Sequence, residues 1–459
     1  MAFESLMRRF AEQSPVSVML RGTLENIFAD EVVDAIFDRT AQRQTCRELT
    51  FSSVVDLLSL VVWKSRASVN AGYEAARDQF TVSVKSVYNK LAKTELAISR
   101  ELVRQTAWRL EGVALKLGRP RRELLPGYRV RILDGNHLPS TEHRLKPLRT
   151  TRSGPLPGQA LVLLDPDLKL IVDVIPCEDG HAQERTLLPW VLELIRALDL
   201  IIADRNFCTT GFLFGIAKRQ GAFVIRQHAS TLNYELVGER KRAGRTETGV
   251  VFEQKMRLSD PDGQTLDVRR ITIELDQPTT SGETEIHLIT NLPRDKAQAV
   301  QVADLYLQRW TIENAFQEME QALRSEVNTL AYPKAALLGF CIAALTYNVL
   351  SIVKSAIVAE HAGVIEHEEI SGYYLAEEIA AVYGGMLIAL PESSWTKQFA
   401  QLTAAELAAA LQELAQHIRI DRFRKRQRGP KKPRPKRTSG RIYHHVSTAK
   451  MLIAAKAHK

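Results

Sequence analysis

The chain has 459 residues, of which 45% are hydrophobic and 25% charged, and it contains only four cysteines. This composition is that of a globular protein, and the length is sufficient for two to four domains. The cysteines lie far apart without CxxC spacing, which fits neither a zinc site nor a disulfide framework. No apolar segment headed by Lys or Arg opens the chain, so we expect a cytoplasmic protein that is not secreted.

The net charge of +9 is concentrated at the carboxyl end. Residues 419–459 contain 15 Lys and Arg against one acid, so the rest of the chain carries a net charge of −5. Residues 421–459 combine few apolar residues with several prolines, which predicts a basic, disordered tail that binds a phosphate backbone. A tail that merely aids solubility is the alternative. The candidate DNA contacts in it are Arg424, Lys425, Arg426, Lys431 and Lys432.

The first region, residues 1–117, is predicted to be almost wholly helical. Residues 51–63 form an apolar run typical of a core helix, and residues 83–91 space apolar residues for a second helix with lysines beside them. Lys85 and Lys90 are therefore possible DNA contacts. The alternative is a helical region whose lysines only face solvent.

A change of pattern follows Gly118, and strands then alternate with helices. The predicted strands are Val130–Leu133, Ala160–Leu164, Leu168–Ile175, Leu200–Ala203 and Ala222–Arg226. Helices are predicted at 184–198 and 211–219, so residues 118–227 indicate a mixed α/β domain. Residues 228–285 are polar, turn-rich and β-prone, and we predict a small β insertion there.

The α/β domain resumes at residues 286–358 with a strand and then helices. The apolar run Ala335–Ile357 is interrupted by polar residues, including Asn348 and Lys354, so it predicts a buried helix and not a membrane span. Residues 359–420 form a C-terminal helical region. Its amphipathic helices are either a dimerisation surface or part of the core.

One helical stretch, Asp304–Glu320, carries a second stripe of polar residues beside its apolar one. At about 100° per residue, this stripe places a hydroxyl, a guanidinium and two carboxylates at the margin of the core, from Tyr306, Arg309, Glu313 and Glu320. A solvated face with an Arg–Glu ion pair four residues apart is the alternative interpretation.

Two aspartates strengthen the functional interpretation. Asp134 and Asp204 each follow a short apolar run, as expected when a buried strand presents an acid at its carboxyl end. Together with Glu313 they supply the hard oxygen ligands that Mg²⁺ prefers. The sequence therefore predicts a divalent-metal site formed by Asp134, Asp204 and Glu313.

These residues resemble a known family. The pattern Tyr306-x2-Arg309-Trp310-x2-Glu313, preceded by Asp134-Gly135 and by Asp204-Arg-Asn-Phe207, is similar to the DDE transposases of bacterial insertion sequences. Within them it is most similar to the IS-four family, which carries a Tyr-Arg-Glu-Lys signature. The family's lysine would fall seven positions after Glu313, where this chain has Glu320.

The resemblance implies an RNase H-like mixed-sheet catalytic core flanked by helical regions at both ends. It implies a Mg²⁺-dependent transposase, for which Mn²⁺ can substitute, that cuts transposon ends and joins them to target DNA. Tyr306 and Arg309 would bind DNA phosphate, and the partner would be double-stranded DNA bound by a homodimer in a bacterial nucleoid. The alternatives are an inactive DNA-binding relative and an RNase H-like nuclease of repair.

Overall fold

The computed structural model describes residues 5–44, 48–118, 123–228, 230, 232–279, 281–426 and 445–457. Its N-terminal part is helical, as the sequence predicts. The side chains of Thr50, Ser68 and Ser83 cap the fourth, fifth and sixth helices by accepting backbone N–H groups that the first turn leaves unbonded. The helices are α1 Ser5–Gln13, α2 Pro15–Ile27, α3 Asp30–Thr40, α4 Phe51–Val62, α5 Val69–Ala75, α6 Val84–Lys93 and α7 Leu96–Lys116.

The strands predicted for the α/β domain are present in one large sheet. The strands described up to residue 290 are β1 Arg129–His137, β2 Pro155–Leu156, β3 Gln159–Asp165, β4 Leu170–Cys177, β5 Asp199–Ala203, β6 Ala222–Arg226, β7 Asn233–Thr246, β8 Gly249–Ser259, β9 Thr265–Leu275 and β10 Glu285–Thr290. The order is β4-β3-β1-β5-β6-β10-β9-β8-β7, and β2 lies outside this sheet.

The first five strands of this sheet have the arrangement of an RNase H-like core. β3 is antiparallel to both β1 and β4, whereas β5 is parallel to β1 and β6 is parallel to β5. Alternate residues along a strand point to opposite faces of the sheet, and helices cover both faces. Ile132 and Ile202 belong to one buried cluster, and Leu133 and Ala203 to the other. The predicted fold class is confirmed.

The β insertion is present, and it extends the core sheet instead of standing apart from it. β9 pairs with β10, and β10 pairs with β6, so β7, β8 and β9 continue the core sheet to its far edge. The β8–β9 turn forms at Asp260-Pro-Asp-Gly263, where the Asp260 side chain accepts hydrogen bonds from the backbone N–H groups of Asp262 and Gln264.

Four helices connect or follow the core strands. They are α8 Leu188–Leu192, α9 Thr210–Lys218, α10 Ala299–Leu307 and α11 Trp310–Ala322. The helix predicted at 184–198 is shorter than expected, since Glu184–Leu187 forms a 3₁₀ turn before α8. The stretch predicted as one helix from Asp304 to Glu320 is also divided. Gln308 and Arg309 donate to residues three positions back, which tightens the chain between α10 and α11.

The apolar run predicted as a buried helix forms α12, Pro333–Glu360, at the centre of the molecule. Among the described residues it is long and apolar enough to cross a membrane, as is one bent helix pair, but its most apolar window is fully buried in the protein. Lys354 is only 2% exposed and makes a short ion pair with Glu318 of α11. N-terminal and C-terminal helices both pack on α12 in one continuous hydrophobic core, and the predicted domain boundaries stay a prediction.

The C-terminal region is helical as predicted. It contains α13 Gly372–Ala389, α14 Glu392–Trp395, a π-helical turn at Thr396–Ala400 and α15 Ala404–Ala415. Trp395 and Phe399 stack in the core with ring centroids 6.0 Å apart.

The prediction of a disordered tail over residues 421–459 is wrong for its last part. β11, Val446–Ser447, pairs with β2, and α16, Thr448–Ala457, follows it. Met451 and Leu452 pack on a small cluster with Leu148, and Lys450 pairs with Asp179 at 2.9 Å. These distant contacts give the segment a hydrophobic anchor that its local composition does not show. Lys431 and Lys432 lie outside the described residues.

Candidate active site

Register brings the two predicted aspartates side by side. In the parallel pairing of β1 with β5, Leu133 is opposite Ala203, so the next residues, Asp134 and Asp204, occupy equivalent positions at the carboxyl edge. The pairing with β5 ends there, although β1 itself continues to His137 against β3. Asp134 is therefore inside its strand, and only Asp204 lies at a strand end.

Backbone amides orient both carboxylates. Gly135 N donates to Asp134 Oδ1 at 2.9 Å, and Asn206 N donates to Asp204 Oδ1 at 2.7 Å. The second contact caps the 3₁₀ turn Arg205–Phe207. Each aspartate thus keeps a fixed rotamer with its other oxygen available to the edge of the sheet.

Glu313 reaches the same place from the first turn of α11. Arg309 Nη1 lies 2.6 Å from Glu313 Oε1 and 3.4 Å from Asp134 Oδ2. Because Arg309 Nη1 contacts both oxygens, Asp134 Oδ2 and Glu313 Oε1 are at most about 6 Å apart. The structure therefore brings Asp134, Asp204 and Glu313 to one edge of the sheet.

The charges of the three acids also act on one another. Burial raises the pKa of Asp134 to about 6, and the negative charges of Asp204 and Glu313 also act to raise it. The Gly135 amide and the Arg309 guanidinium lower the pKa but do not cancel these effects. Cation binding would relieve this repulsion by favouring the charged form of Asp134.

The donor set suits a divalent metal, but Arg309 now takes part of the space. Three hard carboxylates are the ligand type that Mg²⁺ and Mn²⁺ prefer. In the described parts of the chain, however, no three acidic, histidine or cysteine side chains are close enough to hold an ion directly. The guanidinium that bridges Asp134 and Glu313 supplies the positive charge there. Metal entry would require Arg309 to give up at least one of these carboxylates.

Tyr306 and Arg309 remain neighbours despite the break between α10 and α11. Tyr306 is 9% exposed, and burial raises the pKa of its hydroxyl, while the charge of Arg309 and a side-chain hydrogen bond with it lower that pKa. Burial acts to lower the pKa of Arg309, but Tyr306, Glu313 and Asp134 outweigh it and raise it. Arg309 Nε is buried and has no hydrogen-bond partner among the residues that the structure describes, so the guanidinium retains a donor for a further oxygen.

The structure adds Arg226, which the sequence did not single out, and Trp310, which was named only as part of the family pattern. Arg226 ends β6, and since Ala203 is opposite Ile225, it stands next to Asp204 at the same edge. Arg226 and Arg205 both contact Glu283, at 2.7 and 3.4 Å. The signal that selected the aspartates, a polar residue at the end of an apolar run, also applies to Arg226. The Trp310 side chain is 56% exposed, and Arg309 lies over its ring at 5.0 Å.

The predicted DNA contacts outside this site have mixed surroundings. Lys85 is exposed on α6, whereas Lys90 lies over the Phe37 ring at 4.2 Å. Arg424 donates to the Val364 carbonyl at 2.7 Å. Lys425 and Arg426 line a cleft beside α11. Their role in DNA binding stays a prediction.

Comparison with known proteins agrees with this geometry. Residues 125–349 match the family model described as the transposase DDE domain, a span that contains all three acids and the Tyr306–Arg309 pair. The match supports a DDE transposase family. No curated protein matches the chain. A DDE transposase domain supports DNA transposase function and implies metal-dependent nuclease chemistry, with DNA as the substrate.

Proposed function

We propose that this protein is the transposase of an insertion sequence of the IS-four type. It cuts the ends of its element by phosphodiester hydrolysis and joins the 3′ hydroxyls to target DNA by transesterification. The observation that carries the proposal is the convergence of Asp134, Asp204 and Glu313 at one sheet edge, with Arg309 touching two of them. Asp134, Asp204 and Glu313 would hold Mg²⁺, for which Mn²⁺ can substitute.

When bound, the metal would activate the attacking oxygen and neutralise charge on the phosphate. The chain's own groups have complementary roles. Arg309 has an unused buried donor and a planar fork that can pair with two phosphate oxygens, and Tyr306 can donate its hydroxyl beside it. Arg226 adds positive charge next to Asp204. We propose that these three residues hold the scissile phosphate against the acids.

The protein would work on double-stranded DNA as a homodimer in a bacterial cytoplasm, associated with the nucleoid. Lys85 and Lys90 on α6, and the basic residues that begin at Arg424, are proposed to add phosphate contacts that do not depend on sequence. Arg424 would serve this role only if it released the Val364 carbonyl.

Incubation with Mg²⁺ and duplexes that carry the DNA ends flanking the protein's own gene tests this proposal. We expect nicking at the element boundary, followed by joining of labelled ends to a plasmid. Asp134→Asn, Asp204→Asn and Glu313→Gln should each abolish both steps and leave DNA binding intact. Asp262→Asn, in the exposed β8–β9 turn, is the matched control.

The two alternatives predict different products. An inactive DNA-binding relative would bind the ends and cut nothing, with or without metal. An RNase H-like repair nuclease would cut without end specificity and would not join 3′ hydroxyls to a target. Either result would overturn the proposed transposase.

A further inference from the structure

Glu184 lies between the two backbone segments that carry the catalytic aspartates. It opens the 3₁₀ turn that follows β4 and the loop after it, and its side chain is 17% exposed. Its Oε1 packs against Gly135 so closely that a Cβ built on this glycine would be 1.8 Å from it. Its Oε2 accepts a short hydrogen bond from Asn206 Nδ2.

These two contacts of Glu184 are with residues that hold an aspartate. Gly135 N is the donor to Asp134, at 2.9 Å, and Asn206 N is the donor to Asp204, at 2.7 Å. In addition to the β1–β5 pairing, a second connection between the two aspartates thus runs through the Glu184 carboxylate. The adjacent Arg185 reinforces it, because its Nε donates to the Asn206 carbonyl at 2.7 Å.

We propose that Glu184 is a positioning residue that sets the separation of Asp134 and Asp204, and with it the affinity of the site for a divalent metal. This inference rests on the proposed function. Partners that orient metal ligands typically contribute 10- to 100-fold in metal affinity or activity. The absence of a side chain at Gly135 is part of the arrangement, since any Cβ there would push the carboxylate away.

Contacts also explain why glutamate suits this position. Asn206 Nδ2 donates to one carboxylate oxygen of Glu184, and the glutamate side chain is long enough for its second oxygen to contact Gly135 of β1 at the same time. The other charged contact of Glu184 is weak, because His137 Nδ1 lies 3.8 Å away and this histidine is 53% exposed. Glutamine has the same length and one equivalent acceptor oxygen, so it should preserve the bridge.

The test measures Mg²⁺ binding and activity in the full chain. Mg²⁺ titration followed by thermal shift gives the half-saturating metal concentration, and cleavage of the flanking DNA ends gives the Mg²⁺ dependence of activity. Glu184→Ala should raise both concentrations by about 10- to 100-fold. Glu184→Gln should stay within about threefold of the wild type. Glu193→Ala, at an exposed glutamate nearby, should change neither.

Asn206→Ala provides a second approach if Glu184→Ala folds poorly. It removes the other half of the same bridge, so it should raise the half-saturating Mg²⁺ concentration by a similar factor. The double variant should then be no worse than either single one, because both substitutions break one connection.

Several results would overturn the inference. Unchanged Mg²⁺ dependence in Glu184→Ala and Asn206→Ala would show that the bridge does not position the ligands, as would a lower melting temperature with normal metal affinity. Failure of Glu184→Gln to restore binding would show that charge, and not positioning, matters. A wild-type protein that neither binds Mg²⁺ nor cuts DNA would instead refute the proposed function, and this inference with it.

Discussion

Replacement of Asp134 by asparagine should make the protein more stable at neutral pH while it abolishes cleavage. Burial, with repulsion from Asp204 and Glu313, raises the pKa of Asp134 from 3.8 to about 6. The folded protein therefore binds more protons than the unfolded chain between these values. Its free energy of unfolding falls as the pH rises from about 4 to 6, and the loss is complete above pH 6.

The size of the effect follows from the two pKa values. Their difference corresponds to about 3 kcal/mol at pH 8. The Asp134 side chain is 20% exposed, so solvent screening reduces this figure only in part. Asparagine keeps an acceptor for the Gly135 amide but loses the attraction to Arg309. We therefore expect a net gain of about 1–3 kcal/mol at pH 8 and almost none at pH 4.

Urea denaturation of both proteins at pH 4 and pH 8, with EDTA to remove metal, measures this difference. Asp262→Asn, at an exposed turn, should show no such pH dependence. If Asp134→Asn were less stable than the wild type at pH 8, or if its gain were the same at both pH values, burial and repulsion would not be raising the pKa of Asp134. The expected gain would identify an acid that is kept for chemistry at a cost in stability.

Three further changes separate structural from functional roles. Arg309→Lys should lower the free energy of unfolding by about 1 kcal/mol, because lysine cannot bridge two carboxylates. The same variant should cleave the flanking DNA ends at least tenfold more slowly, because lysine cannot form two parallel hydrogen bonds to a phosphate. Cleavage at the wild-type rate would contradict this prediction. A variant in which Ser replaces every basic residue in 427–444 should bind DNA with a weaker salt dependence. The slope of the logarithm of the DNA-binding constant against the logarithm of the salt concentration should decrease by about 0.9 for each phosphate contact that is lost. An unchanged slope would exclude DNA contact by this segment. Lys354→Met should lower the free energy of unfolding in urea by about 1–3 kcal/mol, because it leaves the half-buried Glu318 carboxylate without its partner. Lys354→Met with Glu318→Leu should recover most of the loss, and equal losses in both variants would refute the pairing argument.

Local patterns in the sequence were sufficient for the core strands. Runs such as Ala160–Leu164 and Ala222–Arg226 are apolar, short and bounded by turn residues, and the structure keeps both as strands. Once the strands are known, parallel pairing of neighbouring runs places Asp134 beside Asp204. Periodicity was less reliable around Arg309. The turn at Gln308–Arg309 rests on backbone hydrogen bonds that no spacing of apolar residues shows.

Non-local contacts account for what the sequence did not show. The insertion joins the core sheet because β10 pairs with both β6 and β9. The alternation of polar and apolar residues along a strand does not show which other strand it pairs with. Residues 446–457 are ordered because they meet β2 and Leu148, about three hundred positions earlier in the chain. Arg309 was predicted to grip phosphate and also considered as an ion-pair partner of Glu313. Arg309 also contacts Asp134 of β1. This contact joins residues that are distant in the sequence, so only the folded structure shows it.

At Glu320 the charge near the site differs from that of the Tyr-Arg-Glu-Lys signature that the chain resembles. The position expected to carry a lysine carries an exposed acid here, and it lines a pocket of about 290 Å³ with Glu313 and Glu326. Burial and then repulsion from Glu320 raise the pKa of Glu326 to about 7. This side of Glu313 therefore repels a phosphate. Among the described residues, two cations beside the acids are Arg309, one turn before Glu313, and Arg226 at the end of β6. If the proposed reaction occurs, the scissile phosphate must approach from the side of these two arginines, which makes Arg309 harder to replace than in a site that also has the lysine.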